Sequence, residues 1–116
     1  TYRIKGRSRE EHQKLMDDAA FLDSTGMFAV VLELVEHSLT EEITRSVSCP
    51  TIGIGSGNGC DGQILVTHDL VGTFPWFRPK FVKPRLDAAT LMKTAVKDWQ
   101  NDWELLYAKR QTPSLD

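Results

Sequence analysis

Residues 27–35, Met-Phe-Ala-Val-Val-Leu-Glu-Leu-Val, constrain the fold more than any other stretch of the chain. An apolar run is broken once, by Glu33, and resumes before Glu36 and His37. An aliphatic, β-branched run without polar alternation predicts a strand covered on both faces, as parallel strands in α/β proteins are. A charge buried at the end of such a strand costs free energy unless something pairs it. The carboxyl ends of parallel strands are also where α/β folds build their sites. Glu33 is therefore the first candidate for a functional residue.

The flanking sequence extends this strand into an alternating α/β chain. Thr1 to Gly6 is short and basic, with Tyr2 and Ile4 as the tail of a strand or a loop. Ser8 with Glu11 three residues later has the form of a capping box. Leu15, Ala19 and Leu22 follow at helical spacing, Met16, Ala20 and Phe21 widen the stripe, and Asp17, Asp18 and Asp23 mark a wet face. Gly26 can take the left-handed conformation that ends the helix. Ser38 with Glu41 predicts a second cap, and Leu39, Ile43 and Val47 an apolar helix side that stops before Pro50. Residues 51–55 and 63–67 predict two more strands, the last ending at His68 and Asp69.

Strand, helix, strand is a βαβ signature. Between the second and third strands, however, lies only the glycine-rich segment 56–62, too short for an ordinary crossover helix. Either those strands pair antiparallel or a tight connection replaces the helix. Prolines at 75, 79 and 84 forbid continuous helix over 70–85, and Phe74, Trp76 and Phe77 suggest that the segment packs down. A terminal helix is predicted over 86–110. Asp87 is its cap, its apolar positions are Leu91, Ala95, Val96, Trp99, Trp103, Leu106 and Tyr107, and Lys109 and Arg110 lie at its C-terminal end. Gln111 to Asp116 reads as a frayed tail.

The totals exclude several classes of function. The 116 residues are 41% hydrophobic and 26% charged, with a net charge of -2 from 14 basic and 16 acidic side chains. That balance gives no nucleic-acid footprint and no polybasic membrane patch. No run reaches transmembrane length and the first residues lack a signal-peptide core, so a soluble, cytoplasmic protein is expected. Cys49 and Cys60 read as structural thiols of a reduced compartment.

Three stretches could carry chemistry. Glu33, backed by Val30, Val31 and Leu32, suits a general base, because desolvation strengthens a carboxylate for taking a proton; the alternative is an ion pair with a lysine or arginine of the sheet. Residues 53–62 could line an anion site with backbone, or form a tight corner where side chains would clash. They lack both the Walker and the dinucleotide-binding spacings. Asp61 is a ligand or, more simply, an Asx turn. His68-Asp69 is the only adjacent pair of its kind, but His12, His37 and His68 have no metal spacing and no nucleophile completes a triad.

In order along the chain, Gly6-Arg7, Val30-Val31-Leu32-Glu33, Ile43-Thr44, Pro50 to Gly57, Cys60 to Val66, His68-Asp69 and Pro79-Lys80-Phe81 resemble the ketopantoate hydroxymethyltransferases of pantothenate biosynthesis. The resemblance runs to about Lys83; beyond it the terminal helix matches only in character. It implies an α/β fold, the C-terminal portion (strands six to eight) of a TIM (β/α)8 barrel, in an enzyme that assembles as a homo-oligomeric decamer. It implies transfer of a hydroxymethyl group from 5,10-methylenetetrahydrofolate, the co-substrate, to 3-methyl-2-oxobutanoate, giving 2-dehydropantoate. Glu33 would be the base that removes the proton from C3 of the 2-oxo acid, at the end of strand six. Mg²⁺ would act as an electron sink on the oxo acid, held by ligands in an N-terminal half that residues 1–116 do not include.

The family usually follows the glutamate with cysteine, valine and proline, where this chain has Leu34-Val35-Glu36. Three strands cannot close an eight-stranded barrel, so catalytic competence is expected only with the remainder of the barrel. The other readings are a truncated homologue serving as an oligomerising module through Phe74, Trp76, Trp99 and Trp103, and another Mg²⁺-dependent oxo-acid barrel enzyme.

Overall fold

The computed structural model describes residues 2–111, which form two compact units: residues up to 66 with 79–82, and residues 67–78 with those from 83 onward. The first unit opens with α1 (Arg9–Ser24), whose first turn is closed by Ser8 Oγ accepting from the Glu11 N–H at 3.2 Å. Glu11 does not complete the box. Its carboxylate accepts from Gly6 N at 3.0 Å and pairs with Arg3. Ala19 is buried, Leu15 and Met16 pack on the core, and Phe21 and Leu22 are exposed, so the inward stripe is narrower than the spacing predicts. Asp23, expected on the wet face, instead accepts from the backbone of Ser48 and Cys49.

The central strand β1 covers only Val30–Glu33. Val30 and Leu32 are buried, whereas Val31 is 54% exposed and Phe28 is 91% exposed. Among the described residues, then, only the Val30 and Leu32 face of β1 is covered. Helix α1 and helix α2 (His37–Ser46) meet the Val30 and Leu32 side in one cluster with Ala19, Val35, Leu39, Ile43 and Cys49. Helix α2 is capped by Glu36, not Ser38: the longer carboxylate reaches forward to accept from the N–H groups of Ser38 at 2.9 Å and Leu39 at 3.2 Å. Two orphan donors of the first turn are so satisfied by one side chain.

Strand β2 (Thr51–Ile54) pairs parallel with β1, placing Val30 beside Thr51 and Glu33 beside Ile54. Strand β3 is Gly62–Gln63 and pairs parallel with β2, giving the order β1-β2-β3. The short segment between them is therefore a crossover without a helix, not a hairpin. The third strand is shorter than its apolar sequence predicts because β2 offers no further ladder: Ile64 N still reaches Gly53 O at 3.0 Å, but Gly55 turns off at φ +63°. On the other side of β1, Lys5 makes a single parallel bridge with Val35.

The second unit contains α3 (Thr67–Val71) and α4 (Ala88–Gln111). His68 and Asp69 thus stand in a helix rather than at a strand end. Arg85 N donates to Leu70 O at 2.8 Å and Ala89 N to Gly72 O at 3.0 Å, which seats the connection between the helices. Asp87 caps α4 as expected, accepting from Thr90 N at 3.2 Å and Thr90 Oγ1 at 2.8 Å. The segment packs down only at its far end, where Val82 is buried and the Phe81 ring lies against Gly55; Trp76 is 77% exposed, and Phe74 stacks on His68 and meets the Trp76 ring at a tilt. The apolar positions Leu91, Val96, Trp99, Trp103, Leu106 and Tyr107 of α4 are also exposed. Gln111 closes α4, and the rest of the expected frayed tail lies outside the described residues. Among the described residues no helix is long and apolar enough to cross a membrane.

Candidate functional site

In a parallel pair, registered neighbours share a face. Val31 and Glu33 of β1 therefore share theirs with Ile52 and Ile54 of β2, opposite the side that packs on the helices. Glu33 ends β1 and lines a shallow cleft with Tyr2, Arg3, Lys5 and Leu34. It is exposed, so the desolvation expected from its apolar neighbours is not supplied by the described residues. Nor does it form the alternative ion pair: among the described residues Arg3 pairs with Glu11, and no lysine or arginine pairs with Glu33.

The backbone beyond Glu33 is unusual. Leu34 takes φ +52°, a left-handed conformation that a branched side chain seldom adopts. Four hydrogen bonds hold this turn. Leu34 N donates to Ile54 O at 3.0 Å and Lys5 N to Leu34 O at 2.8 Å. The buried Ser56 hydroxyl accepts from Val35 N at 3.0 Å and donates to Leu32 O at 2.7 Å. Ser56 did not stand out by composition. Its one signal was a lone hydroxyl between two glycines at the exit of an apolar strand.

The glycine-rich segment is a tight corner. A side-chain carbon on Gly55 would fall 2.8 Å from the Phe81 ring, and one on Gly57 would fall 2.6 Å from His37 Nδ1. These approaches, with the positive φ of both residues, account for Gly55 and Gly57 without a bound anion. The Asp61 carboxylate is engaged across the strand start, not in a local Asx turn. It accepts from Thr51 N at 2.8 Å and from Thr51 Oγ1 at 3.2 Å. Thr51 Oγ1 also lies 2.8 Å from Thr44 Oγ1, so a chain of hydroxyls joins α2, the start of β2 and the approach to β3.

Both cysteines are free, as expected of structural thiols, and burial pushes each thiol up from its ordinary value. Among the described residues no three His, Cys, Asp or Glu side chains gather to hold a metal ion. The donor set that Mg²⁺ prefers, several oxygens in near-octahedral order, is not gathered among the described residues.

Against known proteins, the family model described as ketopantoate hydroxymethyltransferase matches residues 1–105. The chain is 48% identical to a 3-methyl-2-oxobutanoate hydroxymethyltransferase of Carboxydothermus hydrogenoformans, over 84% of this chain and 36% of that protein. It is 47% identical to the protein of the same name from Cenarchaeum symbiosum, over 89% of this chain and 39% of that one. With the Clostridium novyi relative of that name the identity is 50%, over 83% of this chain and 35% of the other. The chain thus spans little more than a third of the length of the curated relatives it matches. A parallel sheet with a carboxylate at the carboxyl end of its first strand, matched over nearly its full length, belongs to the ketopantoate hydroxymethyltransferase family.

Proposed function

We propose that residues 1–116 are the part of a (β/α)8 barrel that carries strands six to eight, in an enzyme that transfers a hydroxymethyl group to 3-methyl-2-oxobutanoate. β1, β2 and β3 are those strands in order, and the face holding Val31, Glu33, Ile52 and Ile54 is the one turned to the barrel interior. The observation that carries the reading is Glu33 itself: a carboxylate without an ion-pair partner among the described residues, at the carboxyl end of a parallel strand, on the face its helices leave open. Glu33 takes the proton from C3 of the oxo acid, leaving an enolate. Water opens the methylene bridge of 5,10-methylenetetrahydrofolate, both C–N bonds breaking to release formaldehyde and tetrahydrofolate. The enolate carbon adds to the formaldehyde carbonyl, forming the new C–C bond, and the resulting alkoxide takes the proton back from Glu33 to become the hydroxyl of the product. The remainder of the barrel would close over Glu33 and supply the desolvation that strengthens it as a base. Such an enzyme is cytoplasmic and homo-oligomeric by the habit of its family.

The test is exchange of the C3 proton of 3-methyl-2-oxobutanoate in deuterated water, followed by proton NMR with the whole purified enzyme. Glu33→Gln is expected to abolish exchange while leaving the melting temperature near that of the parent. Exchange by Glu33→Gln at the parent rate would overturn the assignment of the base. A second reading, a non-catalytic oligomerising module, is favoured by the exposure of Trp76, Trp99 and Trp103. It predicts no exchange from the parent protein and an intact mass no larger than 116 residues allow.

A further inference from the structure

Ser56 is 1% exposed, and its hydroxyl does more than satisfy itself. It donates to Leu32 O at 2.7 Å, with Ile54 O also within 3.3 Å, and accepts from Val35 N at 3.0 Å. The two principal contacts lie one residue before Glu33 and two residues after it, so a single oxygen spans the segment that aims the carboxylate. That segment includes Leu34 at φ +52°, a conformation that persists only where its surroundings impose it. Lys5 and Ile54 hold the two backbone groups of Leu34, and Ser56 holds the groups on either side. Without the hydroxyl, the Val35 N–H would be buried and unpaired, and the turn would be free to relax toward the ordinary strand conformation. A relaxed turn changes where Glu33 points while leaving the core cluster of Val30, Leu32, Leu39 and Ile43 in place.

We propose that Ser56 is a positioning residue for Glu33: it touches no substrate and fixes the left-handed turn that presents the carboxylate at the end of β1. The inference rests on the reading of Glu33 as the base. A misplacement of about 1 Å can cost a reaction roughly 100-fold, so kcat rather than substrate binding is the sensitive quantity.

The experiment compares the whole parent enzyme with Ser56→Ala and Glu33→Gln, measuring kcat and KM for C3 proton exchange together with the melting temperature. Ser56→Ala is expected to lower kcat by about 10- to 100-fold with KM for the oxo acid nearly unchanged. Should Ser56→Ala not fold, Ser56→Cys keeps a weak donor and acceptor in the same space and is expected to show a smaller loss of kcat. A parental kcat in the folded Ser56 variant, with only the melting temperature lowered and Glu33→Gln inactive, would overturn the positioning role alone. Exchange at the parent rate by Glu33→Gln, or none by the parent, would overturn the base reading and the positioning role with it.

Discussion

Asp23 ends α1 by gripping the segment that leads into β2, accepting from Ser48 N at 3.0 Å, Ser48 Oγ at 2.7 Å and Cys49 N at 3.0 Å. Those bonds, the one from the Ser48 backbone foremost, hold its carboxyl below the usual range. The Ser38 hydroxyl and the Leu39 N–H do the same for Glu36, and Arg3 with Gly6 N for Glu11. Each group binds its proton less readily folded than unfolded. The stabilisation is therefore complete above the ordinary carboxylate pKa of about 4 and is lost as pH falls through the lowered values. Melting temperatures measured from pH 6 downward should hold steady and then drop in that acid window, and Asp23→Asn should flatten the drop. These roles were only partly legible. Helical spacing put Asp23 on the wet side because its partners lie 25 and 26 positions away, beyond any local pattern. Ser38 looked like a cap because serine usually is one, whereas a glutamate two residues earlier has the reach to serve two N–H groups.

At the scale of elements, α2 is the piece on which the first unit turns. Leu39 and Ile43, 0% and 1% exposed, project from it into the cluster with Val30 and Leu32. Gly6 lies so close that a side-chain carbon there would sit 2.3 Å from Leu39 Cδ2. Leu39→Ala should cost about 2–5 kcal/mol, and Ile43→Val about 0.5–1.5 kcal/mol, read as shifts in the urea unfolding midpoint. The apolar run through Val35 announced β1, but not which of its faces the helices would leave open. A run hydrophobic at every position has no alternation from which to read that. The collapse of β3 to two residues was hidden for a different reason. Strand length here is limited by the neighbour, β2, and not by the propensity of Ile64, Leu65 and Val66.

At the scale of the whole molecule, the chain carries helices, a parallel sheet and a carboxylate at the end of its first strand, within little more than a third of its relatives' length. Recognition of the family rested on the Pro50 to Asp69 stretch, and that stretch is where close packing leaves least freedom: Gly55 against Phe81, Gly57 against His37, Asp61 on Thr51. What the apolar run could not supply was that one face of the sheet stays open among the described residues. The described residues gather no set of metal ligands. Calorimetric titration of the isolated chain with Mg²⁺ should accordingly give no saturable binding at micromolar concentration, and saturation there would mean that the segment carries a site of its own.

The lone bridge between Lys5 and Val35 has a consequence for how such a protein comes into being. It makes the order along the chain the order in space: Lys5, then β1, β2 and β3, each beside the one before. A polypeptide leaving the ribosome can then add each strand to an edge already formed, without waiting for a distant partner to be synthesised. Contacts made between near neighbours in sequence form fastest, and domains assemble from the N-terminal end during translation. Growth by addition at one edge leaves that edge available until the next strand arrives, and β3, the last of the order, keeps an outer edge without a strand partner among the described residues.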